Sequence, residues 1–234
     1  MQYNTYKTIN WGRTRQMQGI AAVLFDMDGV LVDSEAIMRL GAQEALREWG
    51  VEAAPEDFVP FIGAGEDRFV GGVAELHGVR YIPEMKKRAY ERYAYHAART
   101  DIVIPGAAAL LGTLLAGGVK IALCSSADWV KVEINIRALG LVPEDFGAVL
   151  TGESVERKKP FPDIYLGGAA GLGVSPSACV VVEDAVNGIL AGQRAGCRTI
   201  GVTTSFTREQ LAERAHPDWI IDRIGEVADI VLGK

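Results

Sequence analysis

The stretch "AAVLFDMDGVLVDSE" (residues 21–35) places two acids directly after an apolar run. Residues 21–25 are apolar throughout, which is typical of a strand buried on both faces. Asp26 follows the run at once, and Asp28 lies two residues later. Partly buried carboxylates repel one another and resist desolvation unless a cation or hydrogen bonds offset the cost. The stretch therefore predicts a buried strand whose end carries a cation or a set of hydrogen-bond donors.

The composition of the 234 residues is that of an ordinary globular protein, with 49% hydrophobic and 23% charged residues. The formal net charge of −6 offers no electrostatic footprint for nucleic acid or for an anionic membrane surface. No apolar run approaches the roughly 18–20 residues that a membrane span needs. We therefore expect neither a nucleic-acid partner nor membrane association.

Three cysteines, Cys124, Cys179 and Cys197, stand far apart in apolar surroundings. An odd number without CxxC spacing argues against a disulfide framework and against a structural zinc site. We interpret them as core residues of a reducing compartment and expect a cytoplasmic location.

Residues 1–18 differ from the rest, because they are polar, lack acids and carry three basic residues. They contain no apolar segment of the kind that a secretory signal needs. A basic, acid-free start resembles an organelle transit peptide, but this one is short and has no serine. We interpret residues 1–18 as an N-terminal extension, with Met17 as an alternative start.

From residue 19 onward, short apolar runs alternate with helix-length segments. The predicted strands are 20–25, 119–124, 148–151, 179–183 and 198–203. Helix-length segments, most of which end on glycine, occupy 105–118, 127–140, 160–174 and 184–196. This alternation predicts an α/β fold with a Rossmann-like parallel sheet covered on both faces.

One block, residues 34–100, breaks this alternation, since it holds helical patterns and no convincing strand. A helical block inserted directly after the first strand is expected to fold as a separate cap. We predict a core domain of residues 19–33 and 101–234 and a helical cap domain of residues 34–100.

Polar side chains follow several predicted strands at the end where an open parallel sheet binds its ligands. The set comprises Asp26, Asp28, Ser125, Ser126, Lys159, Glu183 and Asp184. Asp26, Asp184 and Glu183 offer the hard oxygen ligands that suit Mg²⁺. Lys159 and Ser125 suit phosphoryl oxygens, one by charge and the other by a hydrogen bond. A carboxylate nucleophile that forms an aspartyl-phosphate, with a second acid for proton transfer, is a known solution for this chemistry.

Four segments in order, "DMDGVLVDSE", "CSS", "KKPFPD" and "VVEDAVNG", resemble the motifs of the haloacid dehalogenase superfamily. The pattern is similar to the β-phosphoglucomutase-like phosphatase branch over residues 19 to about 225. The resemblance implies a Rossmann-like core with a helical cap and a bound Mg²⁺. It implies these roles: Asp26 as nucleophile and metal ligand, Asp28 as acid/base and as metal ligand through its backbone carbonyl, Ser125 as the phosphate-binding hydroxyl, Lys159 as the phosphate-neutralising lysine, and Glu183 with Asp184 as metal acids.

Three residues narrow the reaction within that superfamily. True dehalogenases lack an acid at the position of Asp28, because a halide leaves without a proton, whereas an alkoxide needs one. Met38 aligns with a histidine of β-phosphoglucomutases, and Glu66 aligns with the arginine that holds a second phosphate there. Both differences favour hydrolysis over mutase action, because a carboxylate repels a second phosphate.

The loop "FIGAGEDRF" (61–69) is the expected specificity element. Gly63 and Gly65 permit positive φ and close approach to a ligand. Glu66 accepts hydrogen bonds from sugar hydroxyls or an amine in this interpretation, and Ser126 completes the predicted substrate-binding set. The alternative is that Glu66 simply starts the next helix, where an acid is favourable. The surrounding segment 57–74 resembles cap sequences of haloacid-dehalogenase-like domains in some chloroplast proteins.

The sequence thus predicts a Mg²⁺-dependent phosphatase of small phosphorylated metabolites, such as sugar or polyol monophosphates. A β-phosphoglucomutase-type isomerase and a catalytically idle interaction domain are the alternatives. We expect a small phosphate ester as the partner molecule and a monomer or weak homodimer.

Overall fold

A computed structural model describes residues 19–61 and 65–233, and its centre is a six-stranded parallel sheet. The strands are β1 (Ala22–Phe25), β2 (Lys120–Cys124), β3 (Ala148–Leu150), β4 (Cys179–Glu183), β5 (Arg198–Val202) and β6 (Trp219–Ile221). They lie in the order β3-β2-β1-β4-β5-β6, so that β1 is central between β2 and β4. The chain reverses its direction of winding at β1, where such sheets bind ligands.

The helices of the described residues are α1 (Glu35–Arg47), α2 (Glu66–Leu76), α3 (Pro83–Ala97), α4 (Ala107–Ala116), α5 (Trp129–Ala138), α6 (Asp163–Gly171), α7 (Val186–Arg194), α8 (Arg208–Arg214) and α9 (Glu226–Leu232). The sheet is covered by helices that follow α3 in the chain. Within the described ranges, none of the helices has both the length and the apolar character to cross a membrane.

The central strand β1 supplies residues to two separate apolar layers, since successive side chains point to opposite faces. Val23 and Phe25 belong to the larger buried cluster, whereas Ala22 and Leu24 belong to the second one. All five of the predicted strands are found, and the predicted Rossmann-like sheet is confirmed. The three cysteines are buried and free, as predicted for core residues.

The sixth strand is absent from the sequence prediction. β6 (Trp219–Ile221) has three residues and pairs with β5 at the edge of the sheet. A three-residue edge strand is too short to show a recognisable pattern of buried residues. The prediction of five strands was therefore incomplete at this edge.

The helices α1, α2 and α3 lie between β1 and α4 in the chain and form the inserted cap. α1 packs lengthwise on α3. Gly41 permits this close approach, because a Cβ at that position would lie 2.9 Å from the backbone nitrogen of Tyr93. The predicted helical cap inserted after the first strand is confirmed, and α3 also packs against α5 of the core.

The two chain segments that join the cap to the sheet layer lie side by side. Val32 and Val103 form an antiparallel bridge. The Asp33 N–H donates to the Ile102 carbonyl at 2.8 Å, and the Ile104 N–H donates to the Leu31 carbonyl at 3.0 Å. The connections into and out of the cap are therefore hydrogen-bonded to each other.

Candidate active site

The ends of β1 and β4 bring the first predicted site residues together. Phe25 and Val182 are register partners, so Asp26 and Glu183 emerge next to each other at the carboxyl end of the sheet. The Asp26 N–H donates to the Val182 carbonyl at 3.0 Å, which fixes the backbone at this point. Lys159 completes the group, with its Nζ 2.5 Å from Asp26 Oδ1 and 2.6 Å from Glu183 Oε1.

Three buried carboxylates form one cluster here. Oxygen atoms of Asp26, Glu183 and Asp184 lie within 4.8 Å of one another. Burial raises the pKa of Asp26 well above its usual range, and burial together with the Glu183 charge raises the pKa of Asp184 to about 7. Burial alone would lower the pKa of Lys159, but the charges of Asp26 and Glu183 raise it, so the lysine is charged.

The charge balance of this cluster fits a divalent cation. In the described part of the chain, the three acids have one ammonium group, Lys159, in ion-pairing distance. Three carboxylates against one ammonium leave an excess of negative charge in a buried place, which is costly without a further cation. Carboxylate oxygens are the ligands that Mg²⁺ prefers. Asp26, Glu183 and Asp184 are therefore suited to hold Mg²⁺.

Glu183 is held by groups that the sequence did not reveal. The Tyr165 hydroxyl, from α6, donates to Glu183 Oε1 at 2.6 Å, and the Ala185 N–H donates to Oε2 at 3.2 Å. Gly188 leaves room for this carboxylate, since a Cβ there would collide with it. Tyr165 is fully buried inside an apolar helix pattern, so its sequence position gave no sign of a polar contact.

Asp184 lies against the backbone that follows Asp28. Gly29 has a φ of 77°, and a Cβ at this position would collide with the Asp184 carboxylate. The Ser205 hydroxyl donates to Asp184 Oδ2. The backbone of residues 28–29 thus runs beside the carboxylate cluster, as metal binding by the Asp28 carbonyl would require; that binding stays a prediction.

The side chain of Asp28 takes a different direction from those three acids. Ser34, at the start of α1, donates its hydroxyl to Asp28 Oδ1. Lys131, from α5, donates to Asp28 Oδ2 at 3.0 Å. Burial would lower the pKa of Lys131, but Asp28 and Glu66 raise it, so this buried lysine is also charged.

Lys131 is a site residue that sequence reasoning missed. It lies 8% exposed in a helix whose neighbouring Val132 and Ile136 are fully buried. A signal was available, because Asp128, Lys131 and Asn135 follow the i, i+3, i+7 spacing of one helix face.

The two serines after β2 have different surroundings. Ser125 is buried, and its Oγ accepts a hydrogen bond from the Ala127 N–H at 3.1 Å. Ser126 and Ala127 line the cleft, whereas Ser125 is not among the lining residues described. The phosphate-binding role of Ser125 therefore stays a prediction.

The cap closes the other side of a cleft of about 530 Å³. Gly65, Glu66 and Phe69 line it from the cap, together with Met38 of α1. Gly65 has the positive φ that was predicted, at 86°, while Gly63 lies outside the described residues. Glu66 both starts α2 and lines the cleft, and its role in binding a substrate stays a prediction. Burial raises its pKa.

A family model for haloacid dehalogenase-like hydrolases matches residues 20–196 of the chain. This match covers most of the sheet and the whole cap. The chain belongs to the haloacid dehalogenase-like hydrolases. The predicted family is confirmed. The predicted enzyme class, a haloacid-dehalogenase-like phosphatase, is also confirmed.

Two relatives of this hydrolase differ in how much of their own length the chain covers. The chain is 42% identical over 235 residues to Protein SUPPRESSOR OF QUENCHING 1, chloroplastic, of Arabidopsis thaliana, covering 98% of this chain but 22% of that protein. It is 35% identical over 199 residues to Hexitol phosphatase A of Escherichia coli, covering 81% of this chain and 86% of that protein. The hydrolase unit thus spans most of one relative and about a fifth of the other.

Among solved structures, the chain is similar to CbbY from Rhodobacter sphaeroides in complex with phosphate. The sequences are 28% identical, the TM-score is 0.79, and the match covers 89% of this chain and 96% of CbbY. The similarity therefore extends over most of both chains, and the CbbY structure holds phosphate.

Proposed function

We propose that this chain is a Mg²⁺-dependent phosphatase that hydrolyses small phosphorylated metabolites through an aspartyl-phosphate on Asp26. One observation carries the proposal. A single cleft holds two arrangements of carboxylates. In the first, the buried Asp26 pairs with Lys159 and belongs to the acid cluster that suits a cation. In the second, Asp28 pairs with Lys131. The first arrangement suits phosphoryl transfer to Asp26, and the second suits proton transfer by Asp28.

Asp26 is the proposed nucleophile. An oxygen of its carboxylate attacks phosphorus, the bond between phosphorus and the leaving oxygen breaks, and its electron pair stays on that oxygen. Lys159, at 2.5 Å from Asp26, provides positive charge where the phosphoryl oxygens would lie. Mg²⁺ held by Asp26, Glu183 and Asp184 would supply further charge neutralisation and orient the phosphoryl group.

Asp28 is the proposed proton carrier. In the first step its carboxyl group loses a proton to the leaving oxygen, which departs as an alcohol. In the second step the Asp28 carboxylate takes a proton from the water that attacks phosphorus. The bond between phosphorus and the Asp26 oxygen breaks, so inorganic phosphate leaves and the Asp26 carboxylate is restored. Ser34 and Lys131 hold the two oxygens of this carboxyl group in place.

We propose the division of the chain into a core of residues 19–33 and 101–234 and a cap of residues 34–100. The paired connections at Val32 and Val103 support it, because both chain crossings lie at one place. Closure of the cap would exclude water until the aspartyl-phosphate has formed.

Sugar or polyol monophosphates are the proposed substrates. Glu66 offers the cleft an acceptor for hydroxyl groups, and Gly65 permits close approach. Met38 lines the cleft. Its alignment with the histidine of β-phosphoglucomutases, which this chain lacks, supports hydrolysis over isomerisation. The name of the Escherichia coli relative, Hexitol phosphatase A, agrees with a polyol phosphate. Cytoplasmic location and a monomer or weak homodimer stay predictions, and the Arabidopsis relative is named chloroplastic.

The test is phosphate release from a panel of metabolite phosphates with Mg²⁺, with Asp26→Asn beside the unaltered protein. Asp229→Asn, at an exposed position on α9, is the matched control. We expect release that Asp26→Asn abolishes and Asp229→Asn leaves unchanged. No release above the Asp26→Asn level on any ester would refute a phosphatase, and conversion of sugar phosphates without net release would indicate a mutase.

A further inference from the structure

One face of the core helix α5 is polar and lies against the cap helix α3. Its three residues are Asp128, which directly precedes the helix, and Lys131 and Asn135 within it, and we call this set the α5 stripe. The Tyr90 hydroxyl donates to Asp128 at 3.0 Å, and Lys86 Nζ lies 2.9 Å from the same carboxylate. At the other end of the stripe, the Tyr93 hydroxyl donates to Asn135.

The middle residue of the stripe, Lys131, reaches the cleft instead of a cap side chain. Its ammonium is 3.0 Å from Asp28 Oδ2 and 6.0 Å from the centre of the Tyr93 ring. The lysine side chain is 8% exposed and lines the cleft. Desolvating an ammonium group is costly, and the partner that compensates it here is Asp28.

Asp28 therefore has both carboxylate oxygens fixed by residues on different elements. Ser34, where the cap begins, holds Oδ1, and Lys131 of the core holds Oδ2. Rotation of the carboxyl group about its side-chain bonds is restricted from two sides. Both partners border the junction of cap and core, so the orientation of Asp28 depends on how the cap is seated on α5.

We propose that Lys131 is a positioning residue, which orients Asp28 toward the leaving oxygen when the cap is docked on the α5 stripe. The proposal rests on the proposed phosphatase function. The proton that Asp28 gives to the leaving oxygen is needed when an alkoxide departs, because alkoxides are strong bases. A nitrophenolate departs without it. Loss of Lys131 should therefore affect the two kinds of ester unequally.

The experiment compares Lys131→Met with the unaltered protein on a hexitol monophosphate and on p-nitrophenyl phosphate, both with Mg²⁺. A correctly placed general acid increases the rate about 10²–10⁴-fold, and misorientation of Asp28 should remove part of that increase. We expect kcat/KM, which reports the first step up to departure of the alcohol, to fall about 10- to 100-fold more on the hexitol ester than on the aryl ester. Lys131→Arg, which keeps the positive charge and donors, should recover part of the selective loss.

A double-mutant cycle tests whether Lys131 acts through Asp28. In an Asp28→Asn background, Lys131→Met should cause no further loss on the hexitol ester, since no proton carrier is left to orient. Equal losses of kcat/KM on both esters, or full additivity with Asp28→Asn, would overturn the positioning role. Thermal unfolding checks that each variant folds, and Lys131→Gln replaces Lys131→Met if the latter does not. An unaltered protein that releases phosphate from neither of these esters nor from any other ester of the panel would instead refute the phosphatase function itself.

Discussion

Lys86 of the cap and Asp128 of the core form an ion pair with Nζ and Oδ2 2.9 Å apart. Both side chains are only about one-fifth exposed, at 21% and 20%. Lys86 also pairs with Asp67 at the start of α2, at 2.8 Å. The charges of these two acids raise the pKa of Lys86 despite its partial burial, so the lysine is charged. One ammonium group therefore ties two cap helices to the first residue of the α5 stripe.

We predict that Asp128→Asn weakens the seating of the cap and raises KM. A charge-assisted hydrogen bond that is partly shielded contributes about 1 kcal/mol, which corresponds to a change of about fivefold. The melting temperature should change little, because the pair joins two units that each have buried contacts of their own. Steady-state kinetics on the best ester of the panel measures the effect.

Glu75→Gln is the matched control for that variant. It breaks an ion pair, Arg68 with Glu75 at 3.0 Å, that lies within α2 and does not touch the core. This exposed pair should contribute little, and KM should stay as it is. A KM that rises equally in both variants would argue against a seating role for Asp128.

We predict that Tyr165→Phe destabilises the fold by about 1 kcal/mol, because a buried hydroxyl that donates to the Glu183 carboxylate is lost. For a chain of this length, the melting temperature should fall by about 2–4 °C. The ring contact with Lys159, at 5.1 Å, is kept in the variant. Tyr95→Phe, at a position 53% exposed, is the control, and an equal fall there would contradict the importance of the buried hydroxyl.

Magnesium should stabilise the folded chain, since the acid cluster exists only when β1 and β4 are paired. Binding to the folded state alone adds about 2.7 kcal/mol at a ligand concentration 100 times Kd. Mg²⁺ should therefore raise the melting temperature. Asp184→Asn removes one of the three carboxylates and should make this increase smaller. Asp229→Asn should keep it in full. A melting temperature that is independent of Mg²⁺ and of EDTA would count against the cation site.

The raised pKa of Glu66 should make the stability of the fold depend on pH. Burial raises its pKa above the ordinary value of 4.5, so the folded state keeps a proton that the unfolded state has already released. The free energy of unfolding should then fall as the pH rises from about 4.5 through the raised pKa, relative to Glu66→Gln, which cannot ionise. Chemical denaturation of both proteins over this pH interval measures the difference. A difference that does not vary with pH would contradict the burial of this carboxyl group.

The sheet was predictable because its strands are buried on both faces, which leaves uninterrupted apolar runs such as Ala22–Phe25. The acids at the carboxyl ends were predictable for the same reason, since Asp26 and Glu183 terminate such runs. The edge strand β6 was not predicted, because three residues are too few to show the pattern of apolar residues that identifies a strand.

The partners of Asp28 were not predictable in the same way. Ser34 is near in the sequence, but its hydroxyl points back to Asp28 instead of capping α1. Lys131 is 103 residues away from Asp28, and its contact depends on how α5 packs beneath the cap. The contact of a long side chain with a residue far away in the sequence depends on tertiary packing, which local sequence patterns do not report.

The hydrogen-bonded pairing of Val32 with Val103 restricts how the cap can move. Two independent linkers would allow twisting, sliding and tumbling, whereas two linkers joined by backbone hydrogen bonds behave as a single two-stranded ribbon. Such a ribbon bends easily across its width but resists shear along its length. The cap should therefore move as a rigid body by rotation about a single hinge axis. Asp28 lies four residues before that axis, so each opening and closing would act directly on its side chain.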